Sequence, residues 1–189
     1  TDNNISQETK TQGGIYYIED VAGTGLSPEA EDYIFVNYTG RYLETDDVRE
    51  TSDSALKENW TASEYLDNFL FGPAKIIFGH SIPGINEGLS LMKEGGKARI
   101  IIPSDKAYYD FNPLIYELEL LKVVKDPVAY EDSVLQVYLN NQGFTENEMI
   151  DSLIWFIETE TPDALDMRTV QTNDTVYIRF EGRLVDGFT

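Results

Sequence analysis

The sequence predicts an α+β protein of two related modules joined by a helical connector, and three observations carry that prediction. Between Ile82 and Pro103 a helical spacing of apolar residues gives way, across a glycine pair, to strand-like alternation. A second helical spacing occupies 131–140, with Gly143 after it. A strand-like segment that starts at Asp32 returns in altered form at Asp174.

In chain order, the polar stretch 1–13 has the composition of a flexible tether. Ile15-Tyr16-Tyr17-Ile18-Glu19 and Asp32-Tyr33-Ile34-Phe35-Val36-Asn37-Tyr38-Thr39-Gly40-Arg41 are rich in the aromatic and β-branched residues that favour strands. Residues 53–73 hold a helix signature: Thr61 and Glu64 make a capping box, while Gly72 and Pro73 end the run. Tyr65, Leu66, Phe69 and Leu70 form one face of it, with Trp60 before and Phe71 after. Such a face either packs on a sheet or is left for a client. Pro83 and Gly84 open the next helix, whose Ile85, Leu89 and Met92 recur at i, i+4 and i+7 until Gly95-Gly96 stops it. Ala98, Ile100 and Ile102 then alternate with Arg99 and Ile101 up to Pro103, as in a strand. In the connector, Val134, Leu135, Tyr138 and Leu139 make a helical stripe from Glu131 to Asn140, and Thr145-Glu146-Asn147-Glu148 caps another short helix.

The repeat follows. Asp174-Thr175-Val176-Tyr177-Ile178-Arg179-Phe180-Glu181-Gly182-Arg183 mirrors 32–41 at an offset of 142, from 32 to 174, and Ile154-Trp155-Phe156-Ile157-Glu158 mirrors 15–19. Two strands of similar composition look alike in any case, but the leading Asp and the Gly-Arg pair recur in place. Half a module would leave unpaired edges and an open apolar face. Continuation of the natural chain beyond Thr189, or strand exchange with another copy, is expected to complete it.

Composition excludes several functions. With 14 Lys and Arg against 34 Asp and Glu, the net charge of -20 disfavours nucleic acid and anionic membranes. No cysteine is present and His80 is the one histidine, so disulfides, thiol nucleophiles, a Ser-His-Asp triad and a His-rich zinc site are set aside. His80, after Gly79, reads as a surface turn residue. The carboxylates lack the spacing of an EF-hand loop and read as a solvated surface. No apolar run approaches the roughly 20 residues that cross a bilayer. At 189 residues and 41% hydrophobic content the chain can bury a real core.

Three segments then agree in order: Ile82-Pro83-Gly84 with Met92, Gly95-Gly96-Lys97, Ile102-Pro103-Ser104 and Ala107-Tyr108; Val36-Asn37-Tyr38-Thr39-Gly40 upstream; and Leu114-Ile115-Tyr116-Glu117-Leu118-Glu119-Leu120-Leu121 downstream. Together, across 14–124, they resemble the FKBP family of peptidyl-prolyl cis-trans isomerases. The resemblance implies an antiparallel curved sheet wrapping a short helix over 14–126, with the helical insert at 53–73. Residues 127–189 would then be the connector and the N-terminal part of a second such module. It also implies prolyl isomerisation without metal or cofactor, with proline-containing polypeptides as clients and tacrolimus-like macrolides as further ligands.

Carried over by residue, the resemblance makes Tyr38 and Tyr116 aromatic walls, Ile85 the pocket floor, the Ile82 backbone N–H and the Tyr108 hydroxyl hydrogen-bond donors, and Phe78 a pocket-side residue. Tyr38, Ile85 and Tyr116 would also be buried for packing alone in such a domain. Two departures stand out. Arg49-Glu50 takes the place of the family's Phe-Asp, so a wall becomes a cation and Glu50 stands for the usual aspartate. Only Tyr109, Asp110, Phe111 and Asn112 separate Tyr108 from Pro113, where the family has a longer overhanging loop; Phe111 is expected to replace part of it.

A polar leader before an acidic, cysteine-free body fits the mature part of an exported bacterial protein, periplasmic or at the surface, with a cytoplasmic protein as the alternative. Membrane contact is expected only through a lipid anchor, for which this chain has no cysteine. A module that binds peptide without turnover is the competing function.

Overall fold

Strand β2 (Tyr33–Tyr42) organises the first unit of the chain because both of its edges are paired. The computed structural model describes residues 9–59, 71–143, 149–151, 154–155 and 169–180. In it, β1 (Tyr16–Val21), β2, β3 (Val48–Thr51), β4 (Ala74–Ile77), β5 (Gly96–Ile102) and β6 (Leu114–Val124) form one sheet in the order β1-β5-β6-β2-β3, with β4 also on β2. All of these pairings are antiparallel. Register breaks at Phe35/Val36 and Gly40/Arg41 put bulges into the middle of the sheet, and bulges bend the strands that carry them.

Sidedness follows from the period of two. Ile34 and Val36 of β2, Ala98, Ile100 and Ile102 of β5, and Leu114, Tyr116, Leu118 and Leu120 of β6 are buried in one cluster. Helix α1 (Pro83–Ser90) adds Ile85 and Leu89 to it, and Met92 joins from the turn that follows. Pro83 fixes the φ of the first helical position, where its missing N–H costs nothing. The helix ends before Met92: Leu91 and Met92 donate to Gly88 and Leu89 in a tight last turn, and Gly95, at φ 85°, reverses the chain into β5. Close seating of α1 needs Gly84, where a Cβ would stand 2.3 Å from Ile102 Cγ2.

Short strands β3 and β4 share one edge of β2, pairing with Thr39–Arg41 and Tyr33–Val36 respectively. The insert 53–73 leaves between them. Its base is pinched where the Gly72 N–H donates to the Ser52 carbonyl at 2.9 Å, and Ser54–Asn59 begin it as a 3-10 helix. The helix expected from the Thr61–Glu64 capping box lies outside the described residues.

Over its described part, the segment expected as a tether is anchored. Lys10 bridges to Tyr16, and Thr11 donates its N–H to the Ile15 carbonyl and its hydroxyl to Glu87, so residues 9–13 are tied down. His80 is exposed in a turn and meets Glu31 at 3.1 Å.

A second compact unit spans Val128–Gly187. Helix α2 (Pro127–Gln142) runs longer than the expected 131–140, because Pro127 can open a helix and Gly143, at φ 79°, closes it. Of its stripe only Leu139 is fully buried. A two-stranded ladder joins β7 (Met149–Asp151) to β8 (Ile154–Trp155), the latter falling on the expected repeat of 15–19. The capping box at 145–148 lies outside the described residues, as does the strand's continuation. The other repeat strand does not form over its described part. Residues 174–180 have no regular structure, and Tyr177 and Phe180 are 97% and 88% exposed. A strand exists only by pairing, and no described residue supplies the partner that β6 supplies to β2. Among the described residues no helix is long and apolar enough to cross a membrane.

Candidate functional site

The face of the sheet that packs on α1 gathers most of the residues singled out in the sequence. Tyr38 comes from the middle of β2, where its N–H donates to Ser52 Oγ and its carbonyl accepts the Ser52 N–H, both at 2.9 Å. Its ring packs with those of Phe78 and the side chain of Ile82 against the core cluster. Ile85 lies beneath, in the core itself. Ile82 is the N-cap of α1, in extended conformation; among the described residues its N–H donates no hydrogen bond.

Glu50 of β3 is the hub of the polar contacts. The Tyr116 hydroxyl donates to Glu50 Oε1, and the Tyr108 hydroxyl lies 3.5 Å from the same oxygen. Tyr108 arrives from the loop after β5, where Pro103 ends the strand, Ser104–Lys106 make one 3-10 turn, and the Tyr109 N–H returns to the Ser104 carbonyl.

Arg49 has a different job from the wall it replaces. Its guanidinium stacks over the Tyr108 ring at 3.9 Å from the centroid and donates to the Tyr42 hydroxyl at 2.8 Å. Asp110 stands 3.9 Å from it on the loop side. Burial works to lower the Arg49 pKa, but the neighbouring Tyr42 and Tyr108 oxygens outweigh it, so the cation is held above its ordinary range. Stacking of this kind orients an aromatic ring and contributes about 0.5–2 kcal/mol.

Electrostatics keep the phenols neutral. Burial, and then the charge of Glu50, push the Tyr38 pKa up to about 12, and the same two causes push Tyr116 higher still. Both therefore remain O–H donors across the physiological range. Asp110 is held below the usual carboxylate range, first by the Asn112 N–H and last by Arg49.

Phe111 is not part of the group. It is 91% exposed with left-handed backbone at φ 62°, so it covers nothing, contrary to the expectation that it would replace the longer loop. Tyr109 beside it is also left-handed and 71% exposed. Sequence reasoning overlooked Tyr42, Asp110 and the role of Gly40. Tyr42 had a signal, lying two residues beyond Gly40 on the strand face that carries Tyr38.

A cleft of about 610 Å³ opens on the other face of the sheet, beside Ser52–Ser54, Phe71 and Gly72. Both of its cations are paired with carboxylates, Lys97 with Glu119 at 2.8 Å and Arg99 with Asp20 at 3.0 Å. Among the described residues no three His, Cys, Asp or Glu side chains could hold a metal ion.

The sequence model of the FKBP-type peptidyl-prolyl cis-trans isomerases matches residues 25–121. The FKBP-type peptidyl-prolyl cis-trans isomerase FkpA of Escherichia coli strain K12 is 32% identical over 130 residues, covering 65% of this chain and 42% of that protein. Its counterpart in Aeromonas hydrophila is 30% identical over 131 residues, with the same coverage of 65% and 42%. The crystal structure of FkpA from Escherichia coli superposes with a TM-score of 0.49 at 26% identity, over 61% of this chain and 50% of that one. This chain thus spans less than half the length of those two curated relatives.

Proposed function

Because the chain belongs to the FKBP-type peptidyl-prolyl cis-trans isomerase family, we propose that the aromatic group isomerises X-Pro bonds in polypeptide clients. The observation that carries this reading is the convergence of the Tyr38, Tyr108 and Tyr116 phenols on Glu50 above the apolar floor of Ile85. The chemistry needs no nucleophile. A prolyl bond turns slowly because its C–N bond has partial double-bond character, with a barrier of about 18–20 kcal/mol.

A site lowers that barrier by binding the twisted amide more tightly than either planar form. In this reading Tyr38 and Phe78 seat the proline ring over Ile85 and strip water from the amide, which removes hydrogen bonds that favour the planar, charge-separated form; Tyr116, fully buried, backs the seat from the core and is not the exposed aromatic wall that the resemblance implies. The Ile82 N–H and the Tyr108 hydroxyl donate to carbonyls that flank the proline. Tacrolimus-like macrolides would occupy the same apolar seat. Clients are proposed to be exported proteins, a placement supported by the acidic, cysteine-free composition.

Exchange NMR on an Ala-Pro peptide tests the activity: cross-peaks between cis and trans forms should grow with added protein. No enhancement at high protein concentration would remove it. A second reading, client binding without turnover, draws on exposed Tyr109 and Phe111, which stand beside Tyr108 in sequence and present aromatic surface to solvent. The wild-type protein should then suppress client aggregation while giving no enhancement in the exchange experiment, and replacing both residues with Ser should weaken that suppression.

A further inference from the structure

Glu50, Gly40 and Tyr116 lie on one line across three strands. Gly40 of β2 is the register partner of Glu50 in β3 and of Tyr116 in β6. A side chain in the middle would block that line, since a Cβ on Gly40 would stand 2.5 Å from Tyr116 Cε1 and 3.0 Å from its hydroxyl oxygen. With none there, the phenol crosses over Gly40 and its hydroxyl reaches Glu50 Oε1. Tyr108 approaches that same oxygen from the loop but stops at 3.5 Å, outside the usual span of about 2.5–3.0 Å for O–H···O bonds. With the Tyr116 hydroxyl seated on that oxygen, the Tyr108 hydroxyl is left at the long end of hydrogen-bonding distance from it.

We propose that Tyr116 is a positioning residue that occupies Glu50 and so leaves the Tyr108 hydroxyl free to donate to a carbonyl of the bound prolyl peptide. The inference rests on the isomerase reading of the aromatic group. Tyr116 itself is fully buried, so its hydroxyl acts through Glu50 and not on the client. Without it, the carboxylate would accept a closer hydrogen bond from the Tyr108 hydroxyl, because a hydrogen bond to a charged oxygen is roughly twice as strong as one to a neutral carbonyl. Arg49, stacked on the Tyr108 ring, holds the ring where either partner is within reach. Burial beside Glu50 keeps the Tyr116 phenol protonated, which the arrangement requires.

The test is a double-mutant cycle read as kcat/KM on a prolyl peptide. Tyr116→Phe removes one oxygen from an otherwise unchanged ring and should lower activity about tenfold, the scale of one hydrogen bond. In a Tyr108→Phe background the same change should have an effect within about twofold, because there is no hydroxyl left to divert. Adding Glu50→Gln to Tyr116→Phe should recover part of the loss, since a neutral amide competes less well for Tyr108. A purely structural role for Tyr116 would show neither the coupling nor the recovery. Additive effects, or full activity in Tyr116→Phe, would overturn the inference while leaving the isomerase reading intact; a wild-type chain inactive on prolyl peptides overturns both. Should Tyr116→Phe not fold, Gly40→Ala, which displaces the same ring, replaces it in the cycle with the same expected coupling to Tyr108.

Discussion

Replacing Gly40 with alanine tests the central packing of the site most directly. The added methyl would lie 2.5 and 2.6 Å from two Tyr116 ring carbons, where relaxed carbon contacts are about 3.5–4.0 Å. The ring must therefore move by roughly 1 Å, and as a fully buried side chain it has little room to do so. Overpacking of this size costs about 1–3 kcal/mol. Pulling the hydroxyl off Glu50 adds about 1–3 kcal/mol for a buried bond left unmade. Against this, alanine is better than glycine in a strand interior by about 0.5–1 kcal/mol. The net expectation is a loss of about 1–5.5 kcal/mol, which at a mid-range urea slope of about 2 kcal/mol/M lowers the midpoint by about 0.5–3 M. Urea unfolding followed by circular dichroism measures it, with isomerase activity followed in parallel. A variant as stable and as active as the wild type would mean that Tyr116 does not cross over Gly40 and that the line from β6 to β3 is wrong.

Other perturbations reach neighbouring parts. Leu89→Ala, at a fully buried position where α1 meets the sheet, should cost about 2–5 kcal/mol in the same unfolding assay. Arg49→Ala should reduce kcat/KM several-fold by unclamping Tyr108, while changing stability by no more than about 2 kcal/mol; unchanged activity would leave the stacking without a role. Tyr38 makes alkaline unfolding informative. Its folded-state pKa is raised, so the folded chain keeps a proton that the unfolded chain loses; that stability is whole below about pH 10 and is lost as pH rises towards about 12. Tyr38→Phe should therefore show a shallower fall in stability over that window, and equal slopes in urea titrations at pH 9 to 12 would refute it.

Much of the scaffold could be read from local pattern. Helix α1 was legible because Pro83, the i, i+4 spacing of Ile85 and Leu89 and the Gly95 reversal all act within about three turns. Strands β2 and β6 were legible through alternation and resemblance, and Tyr38, Glu50, Tyr108 and Tyr116 proved to be neighbours. What stayed hidden depends on register between distant strands. Nothing near Gly40 says that Glu50 and Tyr116 flank it, and nothing near Arg49 says that its partner is the ring of Tyr108. Residues 174–180 show the converse. Their pattern matches β2, but pattern supplies only one side of a ladder, and the described structure supplies no other.

The pinch between Ser52 and Gly72 has an evolutionary consequence. Because β3 and β4 are each registered on β2 independently, the edge does not depend on the segment between them for its alignment. The cost of closing a loop grows only slowly with its length, by about 0.6 kcal/mol per doubling, so the neck can carry segments of very different size at little cost to the sheet beside it. It is a port in the fold. A lineage can exchange what hangs there, from a tight turn to a whole guest domain, without moving the registers of β3 and β4 on β2.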